Sequence, residues 1–328
     1  LGWKNIMSLT EPFLVDPTRI TGSVLVTGAG GCIGSWTVAI LVQSGVQVVA
    51  FDLHDDRRRL SLLIGNDAAQ GVKWETGDIS DYERLDDVCK RHAITGIIHL
   101  AGLMIPFCKA DPALGARVNV EGTINVLEAA RHNGLKRLAY ASSSAIYGMP
   151  PGGPTIASLY GAYKLANEYT AQVYWLDWGV PSVGIRPNVV YGVGRDQGMT
   201  SEFSVGLAHA AIGKPFQVSY GGPLSWLYAG EVAAAFIAVM CRDGSEARVF
   251  DLNGTCMTVE EGIEILSDLV PEHNVSTTGT LLPVPADLSD LPIREHLGDY
   301  PSISPLDGIR WTFEAFQRLQ AEGQLTFR

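Results

Sequence analysis

Two tyrosines and a lysine occupy one short segment, "SLYGAYKLANE", at residues 158–168. Tyr160 and Lys164 are four residues apart, so on a helix their side chains lie on one face and can approach each other. A nearby ammonium group favours the phenolate form and would lower the pKa of Tyr160 from its usual value of about 10. A phenol of lowered pKa can take a proton from a substrate hydroxyl, whereas a merely amphipathic helix needs no such pair.

The second tyrosine of this segment, Tyr163, lacks that arrangement. Asn167, not a lysine, stands four residues after it, so we predict that Tyr163 is a packing residue. Tyr147 and Tyr191 are likewise predicted to belong to a wall or to the core. The spacing therefore favours Tyr160 as the proton acceptor.

The segment "VLVTGAGGCIGSW" places Gly28, Gly31 and Gly34 directly after a predicted strand and at the start of a predicted helix. The first glycine permits a tight turn, the second lets a pyrophosphate approach the backbone, and the third lets helix and strand pack closely. Asp52 follows Gly34 by 18 residues, at the end of the second strand, where it can accept both ribose hydroxyls and would repel a 2′-phosphate. We therefore predict a dinucleotide site that prefers NAD to NADP, and a solvated charge run at residues 57–59.

Short apolar runs alternate with helical periods through the first half of the chain, and these elements must position the residues above. The longest predicted helix covers residues 112–133, where Val120, Ile124 and Leu127 share one face, and Gly134 ends it. Nearly all-apolar strands separated by helices indicate a parallel sheet buried on both faces. The predicted strands are residues 23–27, 47–52, 72–76, 96–100, 137–142 and 182–186.

These elements predict an α/β protein with a doubly wound, Rossmann-like parallel sheet and a smaller C-terminal substrate-binding lobe. We divide the chain into an N-terminal arm at residues 1–20, an NAD-binding Rossmann domain at 21–187 and a region at 188–328 that is mainly substrate lobe. Within that last region, residues 226–252 are predicted to return to the Rossmann sheet. Residues 229–241 have a helical pattern and residues 247–252 have the pattern of a strand.

The composition restricts the class of partner. The chain of 328 residues is 46% hydrophobic and 18% charged, which is typical of a folded globular protein. Its net charge of −11 argues against nucleic acid as a partner, and no apolar run approaches the roughly 18 residues of a membrane span. The first residues do not have the pattern of a signal peptide, so we expect a cytoplasmic location.

The cysteines and histidines predict no metal site. Five cysteines are scattered without a CxxC pair, and seven histidines form neither an HxxxH nor an HExxH pattern. We therefore expect neither a disulfide framework nor a structural metal.

Further motifs follow the glycine segment in a specific order. They are "GDIS" at 77–80, "HLAG" at 99–102, "VNVEGT" at 118–123, "SSSAIYG" at 142–148, "YGAYK" at 160–164 and "RPNVVYGVG" at 186–194. From about residue 23 to at least residue 235, the chain resembles the extended short-chain dehydrogenase/reductase family, also called the NAD-dependent epimerase/dehydratase family. The resemblance implies NAD as the cofactor, a small-molecule substrate, and a homodimer formed through the helices at 112–133 and 160–177.

The resemblance also implies roles for individual residues. Ser143, four residues before Tyr147, would be the catalytic serine, and it would donate a hydrogen bond to the substrate oxygen. Lys164 would also hold the nicotinamide ribose, and Asn119 would brace the active-site helix. Cys32 replaces a common aromatic residue and is expected to pack rather than react. The implied cofactor-binding residues are Gly28, Gly31, Cys32, Ile33, Gly34, Asp52, Asp78, Ile79, Leu100, Ala101, Gly102, Asn119, Tyr160, Lys164, Pro187 and Asn188.

The candidates for substrate contact are Cys108, Ser144, Arg195 and Trp226. The family places a substrate-facing residue at Cys108, which would be a neutral pocket wall or, with Lys109, a second acid/base. Family members that act on nucleotide sugars often carry an Arg-Asp pair and an Ile-His-Val-Asp-like run where this chain reads "SWLY" at 225–228. Residues 188–328 hold 8 Lys/Arg and 18 Asp/Glu, a net charge of −10. Both features favour a small neutral, polyhydroxylated substrate over a pyrophosphate-bearing one.

We therefore predict an NAD-dependent oxidoreductase that removes a hydride from a secondary alcohol of a sugar-like or small polyhydroxylated substrate and releases NADH. The alternative is a redox-neutral sugar or nucleotide-sugar epimerase. A different class of function is a protein that senses NAD or acts as a scaffold without catalysis. The combination of Ser143, Tyr160 and Lys164 counts against that function. Dehydration ranks lowest, because Ser144 and Ala145 follow Ser143 where dehydratases of the family tend to carry an acid.

Overall fold

Seven parallel strands form a central sheet in the computed structural model, which describes residues 8–148, 156–282, 284–298 and 300–325. Together with the strands of two smaller sheets, the strands are, in chain order, β1 Ser23–Thr27, β2 Gln47–Asp52, β3 Lys73–Thr76, β4 Ile94–His99, β5 Leu138–Ala141, β6 Ser182–Pro187, β7 Val190–Tyr191, β8 Phe216–Val218, β9 Pro223–Tyr228, β10 Ala247–Leu252, β11 Thr255–Thr258 and β12 Val275–Thr277. The sheet order is β10-β6-β5-β4-β1-β2-β3, and each neighbouring pair is parallel. This arrangement confirms the predicted Rossmann-like fold.

Helices connect these strands and cover both faces of the sheet. In chain order they are α1 Cys32–Gln43, α2 Arg58–Ile64, α3 Asn66–Gly71, α4 Tyr82–Arg91, α5 Ile105–Ala110, α6 Pro112–Ala116, α7 Gly122–His132, α8 Leu159–Trp178, α9 Glu202–Ala211, α10 Ala229–Met240, α11 Val259–Leu269, α12 Leu291–Leu297 and α13 Pro305–Ala321. Short 3-10 turns cover Glu11–Phe13, Pro17–Arg19 and Ser144–Tyr147.

The alternation of side chains along β1 explains why the sheet has a core on each face. Leu25 belongs to a cluster with Val88 of α4 and Val126 of α7. Its neighbour Val26 points to the other face, into a cluster that includes Trp36 of α1. A strand between two apolar layers has no solvent-facing side, and this is the reason for its nearly continuous apolar sequence.

The helix predicted at residues 112–133 is not continuous. A π-helical turn at Arg117–Glu121 separates α6 from α7. The carbonyl oxygen of Asn119 accepts hydrogen bonds from the Thr123 hydroxyl at 2.7 Å and from the Asn167 amide of α8 at 2.9 Å. Side chains therefore satisfy a backbone group at the point where the regular helical pattern is interrupted.

The chain leaves the central sheet after β6 and returns to it at β10. Strands β7, β9 and β11 form a small second sheet, and β8 pairs with β12. Between β9 and β11 in the chain, α10 packs on α1, and β10 pairs with β6 from Ala247 opposite Ser182 to Leu252 opposite Pro187. The predicted strand at 247–252 has these same bounds, whereas the return begins after β9, at Ala229, rather than at residue 226.

The described part of the N-terminal arm packs on the body of the protein. Phe13 is buried, with its ring centroid 6.1 Å from that of Trp36 and 6.0 Å from that of Tyr228. Leu9, Phe13 and Ile20 thus belong to the core, whereas most of the residues between them are exposed or half-buried.

Candidate active site

The glycine loop after β1 has no room for side chains at two of its three predicted positions. Gly28 has a φ of +69°, and a Cβ there would lie 2.6 Å from the backbone nitrogen of Ala101. A Cβ at Gly34, in the first turn of α1, would overlap the carbonyl oxygen of Gly28. Gly31 lies directly before α1, at its N-cap position. The close packing leaves the backbone N–H groups at the start of α1 facing the loop, as an anionic ligand requires.

Asp52 is held beside this loop at the end of β2. Its Oδ2 atom accepts a hydrogen bond from the backbone N–H of Gly30 at 2.9 Å, and its Oδ1 atom accepts one from Leu53 at 2.7 Å. These contacts fix the carboxylate at the carboxyl end of the sheet, where the predicted ribose site lies. The backbone N–H of Gly77 donates to the carbonyl of Asp52 at 2.9 Å, which brings the "GDIS" motif next to it.

The "GDIS" motif forms a local turn against α7. The Oδ1 atom of Asp78 accepts from the N–H of Ser80 at 2.9 Å and from its hydroxyl at 2.8 Å. Ile79 is buried, and its carbonyl accepts from the Asn125 amide at 3.0 Å. Asp78 and Ile79, both predicted to bind the cofactor, therefore lie on the same edge of the sheet as Asp52.

The loop after β4 connects the glycine loop with the predicted catalytic residues. The N–H of Leu100 donates to the carbonyl of Thr27 at 3.1 Å, so Leu100, Ala101 and Gly102 continue past the end of β1. A Cβ at Gly102 would lie 2.9 Å from Oδ1 of Asn119 and 3.5 Å from Nζ of Lys164.

Asn119 is fully buried at the π-helical turn. Its amide donates to the carbonyls of Gly115 at 3.0 Å and Leu103 at 3.2 Å, which fixes the loop after β4 against the helix. Its Oδ1 atom has no hydrogen-bond partner among the described residues. A buried acceptor of this kind is usually paired, so Oδ1 is available to a donor at the Gly102 side.

Tyr160 and Lys164 share one face of α8, as the spacing predicted. Ser158 caps the helix, because its hydroxyl accepts from the N–H of Gly161 at 3.0 Å. The ammonium of Lys164 is buried, donates to the carbonyl of Ala141 at 2.7 Å and lies 5.6 Å from the centre of the Tyr160 ring. The Ser143 side chain follows the end of β5 and lies near the Tyr160 hydroxyl, whose pKa it lowers. The three predicted catalytic residues therefore lie together.

The expected lowering of the Tyr160 pKa by Lys164 is wrong for this arrangement. Burial raises the pKa of Tyr160, although the nearby Ser143 side chain and the charge of Arg195 oppose the shift. Burial also lowers the pKa of Lys164 to about 8. The loss of hydration is thus the main influence on both groups, and the Lys164 ammonium bonds to a backbone carbonyl rather than to the phenol.

The residues after β6 join a network of buried amides. Pro187 ends β6, and Asn188 follows it with its amide donating to Oδ1 of Asn253 at 2.8 Å and to the carbonyl of Pro285 at 2.6 Å. The Ser144 hydroxyl donates to Oδ1 of Asn188 at 3.3 Å. Ser144 is thus connected to the loop near residue 285 rather than presented alone to a ligand.

The thiols of Cys32 and Cys108 are both held in packed surroundings. Cys108 is buried, with its Sγ atom 3.2 Å from the carbonyl of Leu103 and 3.3 Å from the Asn119 amide, and burial raises its pKa. Burial raises the pKa of Cys32 to about 11, and its Sγ atom points to the carbonyl of Val193. Neutral thiols do not act as nucleophiles, which favours packing for Cys32 and, of the two roles considered for Cys108, the neutral wall over the second acid/base.

Trp226 does not line the site. It is 3% exposed on β9, its ring centroid is 4.5 Å from that of Phe203, and its indole N–H donates to the carbonyl of Met257 at 2.7 Å. We correct the predicted substrate contact accordingly, because every part of this side chain is already occupied inside the lobe. Tyr163, by contrast, is a packing residue as predicted, with its hydroxyl donating to the carbonyl of Pro112 at 2.9 Å.

The arginines at 57–59 are not a solvated charge run. Arg59 donates to the carbonyl of Gly30 at 2.7 Å and to Oδ1 of Asp196 at 2.6 Å and 3.0 Å. Arg57 donates through Nη1 to three carbonyls, those of Ala69, Gln70 and Val72. The sequence offered no signal for the Arg59 contact, because Asp196 is remote in the chain.

A bound NAD molecule fits the residues present. The crowded glycines, the fixed carboxylate of Asp52, the unpartnered Oδ1 of Asn119 and the buried ammonium of Lys164 lie along one path at the carboxyl ends of β1, β2, β4 and β5. Among the described residues, no group of three or more His, Cys, Asp or Glu is arranged to hold a metal, and no helix is long and apolar enough to cross a membrane.

The fold and site define a Rossmann-type enzyme that binds a dinucleotide next to a tyrosine-lysine pair. The model of the NAD dependent epimerase/dehydratase family matches residues 24–252. The chain belongs to this family, within the extended short-chain dehydrogenases/reductases, and its cofactor is NAD. An uncharacterised 37.6 kDa protein in the cld 5′ region of Escherichia coli O111:H- is 31% identical over 279 residues, which are 79% of each chain.

In the sequence comparison, the relatives with named activities match less of the chain. The UDP-glucose 4-epimerase of Rhizobium meliloti is 34% identical over 175 residues, which are 50% of each protein. The structure of a Thermus thermophilus UDP-glucose 4-epimerase complex with NAD has a TM-score of 0.75 and 26% identity, and covers 90% of this chain and 99% of that one. An L-threonine dehydrogenase of Clostridium difficile has a TM-score of 0.76 at 19% identity over 90% of this chain and 98% of its own, which shows a shared fold.

Proposed function

We propose that this protein is an NAD-dependent oxidoreductase that transfers a hydride from a secondary alcohol of a sugar-like or small polyhydroxylated substrate. The observation that carries the proposal is the buried ammonium of Lys164, 5.6 Å from the centre of the Tyr160 ring, with Ser143 close to the same tyrosine. A protein that only senses NAD would need the glycine loop and Asp52 but would have no use for this trio.

The residues of the chain divide the work of alcohol oxidation. The Tyr160 oxygen takes the proton of the substrate hydroxyl, and the Ser143 hydroxyl donates a hydrogen bond to the same substrate oxygen as negative charge develops on it. Lys164 is an ammonium below about pH 8 and lies beside the Tyr160 ring, where it would hold the nicotinamide ribose of bound NAD. The nicotinamide of bound NAD supplies the hydride acceptor.

We further propose net dehydrogenation, with release of NADH. An epimerase must retain its keto intermediate, and nucleotide-sugar enzymes achieve this by gripping the diphosphate. The segment at 225–228, where such relatives often carry Arg-Asp, is packed inside the lobe, and the Ser225 hydroxyl accepts from the N–H of Gly254 at 2.9 Å. Arg294, another cation of the lobe, is paired with Glu231 and Asp290. These contacts leave a weakly anchored product free to dissociate.

Epimerisation is the second candidate, and it is favoured by the UDP-glucose 4-epimerases among the relatives. The test is incubation of the purified protein with NAD and a panel of polyols, sugars, sugar acids and nucleotide sugars, with absorbance of NADH and product chromatography recorded together. We expect one NADH for each molecule of alcohol oxidised. Interconversion of two epimers without net NADH would replace this proposal by the epimerase alternative.

We also propose that the protein is a homodimer. Tyr169, Val173 and Leu176 recur at helical spacing on α8 and are 62%, 47% and 77% exposed, so none of the residues that the structure describes covers this apolar stripe of the helix. A second copy of α8 would bury the stripe. Sedimentation at micromolar concentration is expected to give twice the mass of the chain, and a monomer would contradict the proposal.

A further inference from the structure

Residues 193–196, between β7 and α9, lie directly against the glycine loop, and we refer to them as the 193–196 segment. At its start, the carbonyl of Val193 accepts a hydrogen bond from the indole N–H of Trp36 at 2.9 Å, and the Sγ atom of Cys32 lies 3.9 Å from it. Both partners belong to α1, whose first turn follows the glycine loop. The segment is thus attached to the predicted pyrophosphate site.

The other end of the segment is held by two arginines of α2. Arg59 binds Asp196 through Nε and Nη2 and at the same time donates to the carbonyl of Gly30 in the glycine loop. Arg58 lies 3.3 Å from the second carboxylate oxygen of Asp196. Fixed at Val193 and at Asp196, the segment has little freedom to place the side chain of Arg195 elsewhere.

Arg195 is incompletely paired within the chain. Its Nη2 atom donates to the Thr200 hydroxyl at 3.1 Å, whereas Nη1 has only the thioether of Met104 at 3.9 Å. Its Nε atom is buried and has no hydrogen-bond partner, and no carboxylate within the described ranges forms an ion pair with it. A buried charged donor of this kind is costly unless a ligand supplies the acceptor.

Two neighbours indicate where the guanidinium lies. Its positive charge lowers the pKa of Cys32, at the first position of α1, and that of Tyr160, at the hydride-transfer end, although burial dominates both groups. Met104, which it contacts, follows the loop after β4 that lines the cofactor path. The guanidinium therefore lies between the start of α1 and the catalytic tyrosine, along the path from the phosphates to the nicotinamide.

We propose that Arg195 binds the pyrophosphate of NAD, a role different from the substrate contact expected from the sequence. The inference rests on the NAD site of the proposed function. The glycine loop "TGAGGCIG" offers backbone N–H groups but no cation, so Arg195 supplies the positive charge that a doubly anionic pyrophosphate requires. Its unpartnered Nε–H can donate to one phosphate oxygen, and Nη1 can donate to a second, while Nη2 keeps its bond to Thr200.

The test measures ligand binding by calorimetry and requires no substrate. ADP-ribose contains the pyrophosphate, and adenosine contains no phosphate. We expect Arg195→Met to weaken the binding of ADP-ribose and NAD by about 10- to 100-fold while the affinity for adenosine changes by less than about threefold. Arg195→Lys should lose less than Arg195→Met, because it keeps the charge and lacks the fork.

Lys214→Met is the matched control, because Lys214 is an exposed cation of the same lobe and its removal changes the net charge equally. It should leave all three affinities unchanged. Unaltered ADP-ribose binding by a folded Arg195→Met or Arg195→Lys variant overturns the inference alone, as does an equal loss for adenosine. A native protein that binds neither NAD nor ADP-ribose overturns it together with the proposed function.

Discussion

The cofactor half of the molecule and the half that follows residue 188 hold their buried polar groups in different ways. Asp52 is fixed by backbone N–H groups at strand ends, those of Gly30 and Leu53. Asn188, in contrast, depends on side-chain and loop contacts with Asn253 and with the carbonyl of Pro285. The sheet thus prepares the cofactor site through its own geometry, whereas the substrate side is assembled by contacts between distant segments.

The largest expected effect separates chemistry from stability in the cofactor half. Tyr160→Phe removes only the hydroxyl that takes the proton, so kcat should fall by about 10²- to 10⁴-fold while NAD affinity and the unfolding midpoint stay near those of the native protein. Tyr163→Phe is the matched control, because its hydroxyl bonds to the Pro112 carbonyl and faces no ligand. An inactive Tyr163→Phe variant beside an active Tyr160→Phe variant would reverse the assignment.

In the half of the molecule that follows residue 188, we expect a substitution to lower stability rather than catalysis. Trp226→Ala should lower the free energy of unfolding by about 3–5 kcal/mol, because it leaves a large cavity beside Phe203 and removes the donor to the Met257 carbonyl. Urea unfolding measures this loss. If the variant keeps its stability but raises KM for the substrate, Trp226 belongs to the pocket after all and the correction made above is wrong.

The smallest effect is a pH dependence with opposite signs in the two halves. Glu75, on β3, has a pKa lowered to about 2, because hydrogen bonds from His92, Arg84 and Arg91 outweigh the opposing effect of burial. The unfolded chain therefore binds more protons between pH about 4.5 and about 2. The contribution of Glu75 to stability is complete above pH about 4.5 and is lost as the pH falls through about 2.

Glu231, in the first turn of α10, behaves in the reverse manner. Burial raises its pKa to about 7, although the N–H of Ile303 and the guanidinium of Arg294 oppose the shift. Its contribution is therefore complete below pH about 4.5 and is lost as the pH rises through about 7, on the order of 1–3 kcal/mol. Between these pH values, the urea midpoint of the Glu231→Gln variant should decline less than that of the native protein. A parallel decline in both proteins would contradict this.

The sequence predicted the elements that the sheet itself imposes. Strands, the glycine loop, Asp52 and the Tyr160–Lys164 spacing follow from local patterns, because strand ends and helical periods determine where those side chains point. The Arg59–Asp196 contact and the pKa of Tyr160 could not be predicted in this way. The first joins remote positions, and the second depends on how deeply the finished fold buries a hydroxyl.

The parallel pairing of β6 with β10 also affects how the chain folds during its synthesis. When residues up to 187 have left the ribosome, β1 to β6 can pair, but β6, with its apolar Val183 and Ile185, is then an open edge. Open edges of this kind recruit strands from other molecules, so the ribosome-bound intermediate is exposed to aggregation until β10 has emerged. A gene fragment that ends at residue 187 would therefore need a substitute for the missing strand.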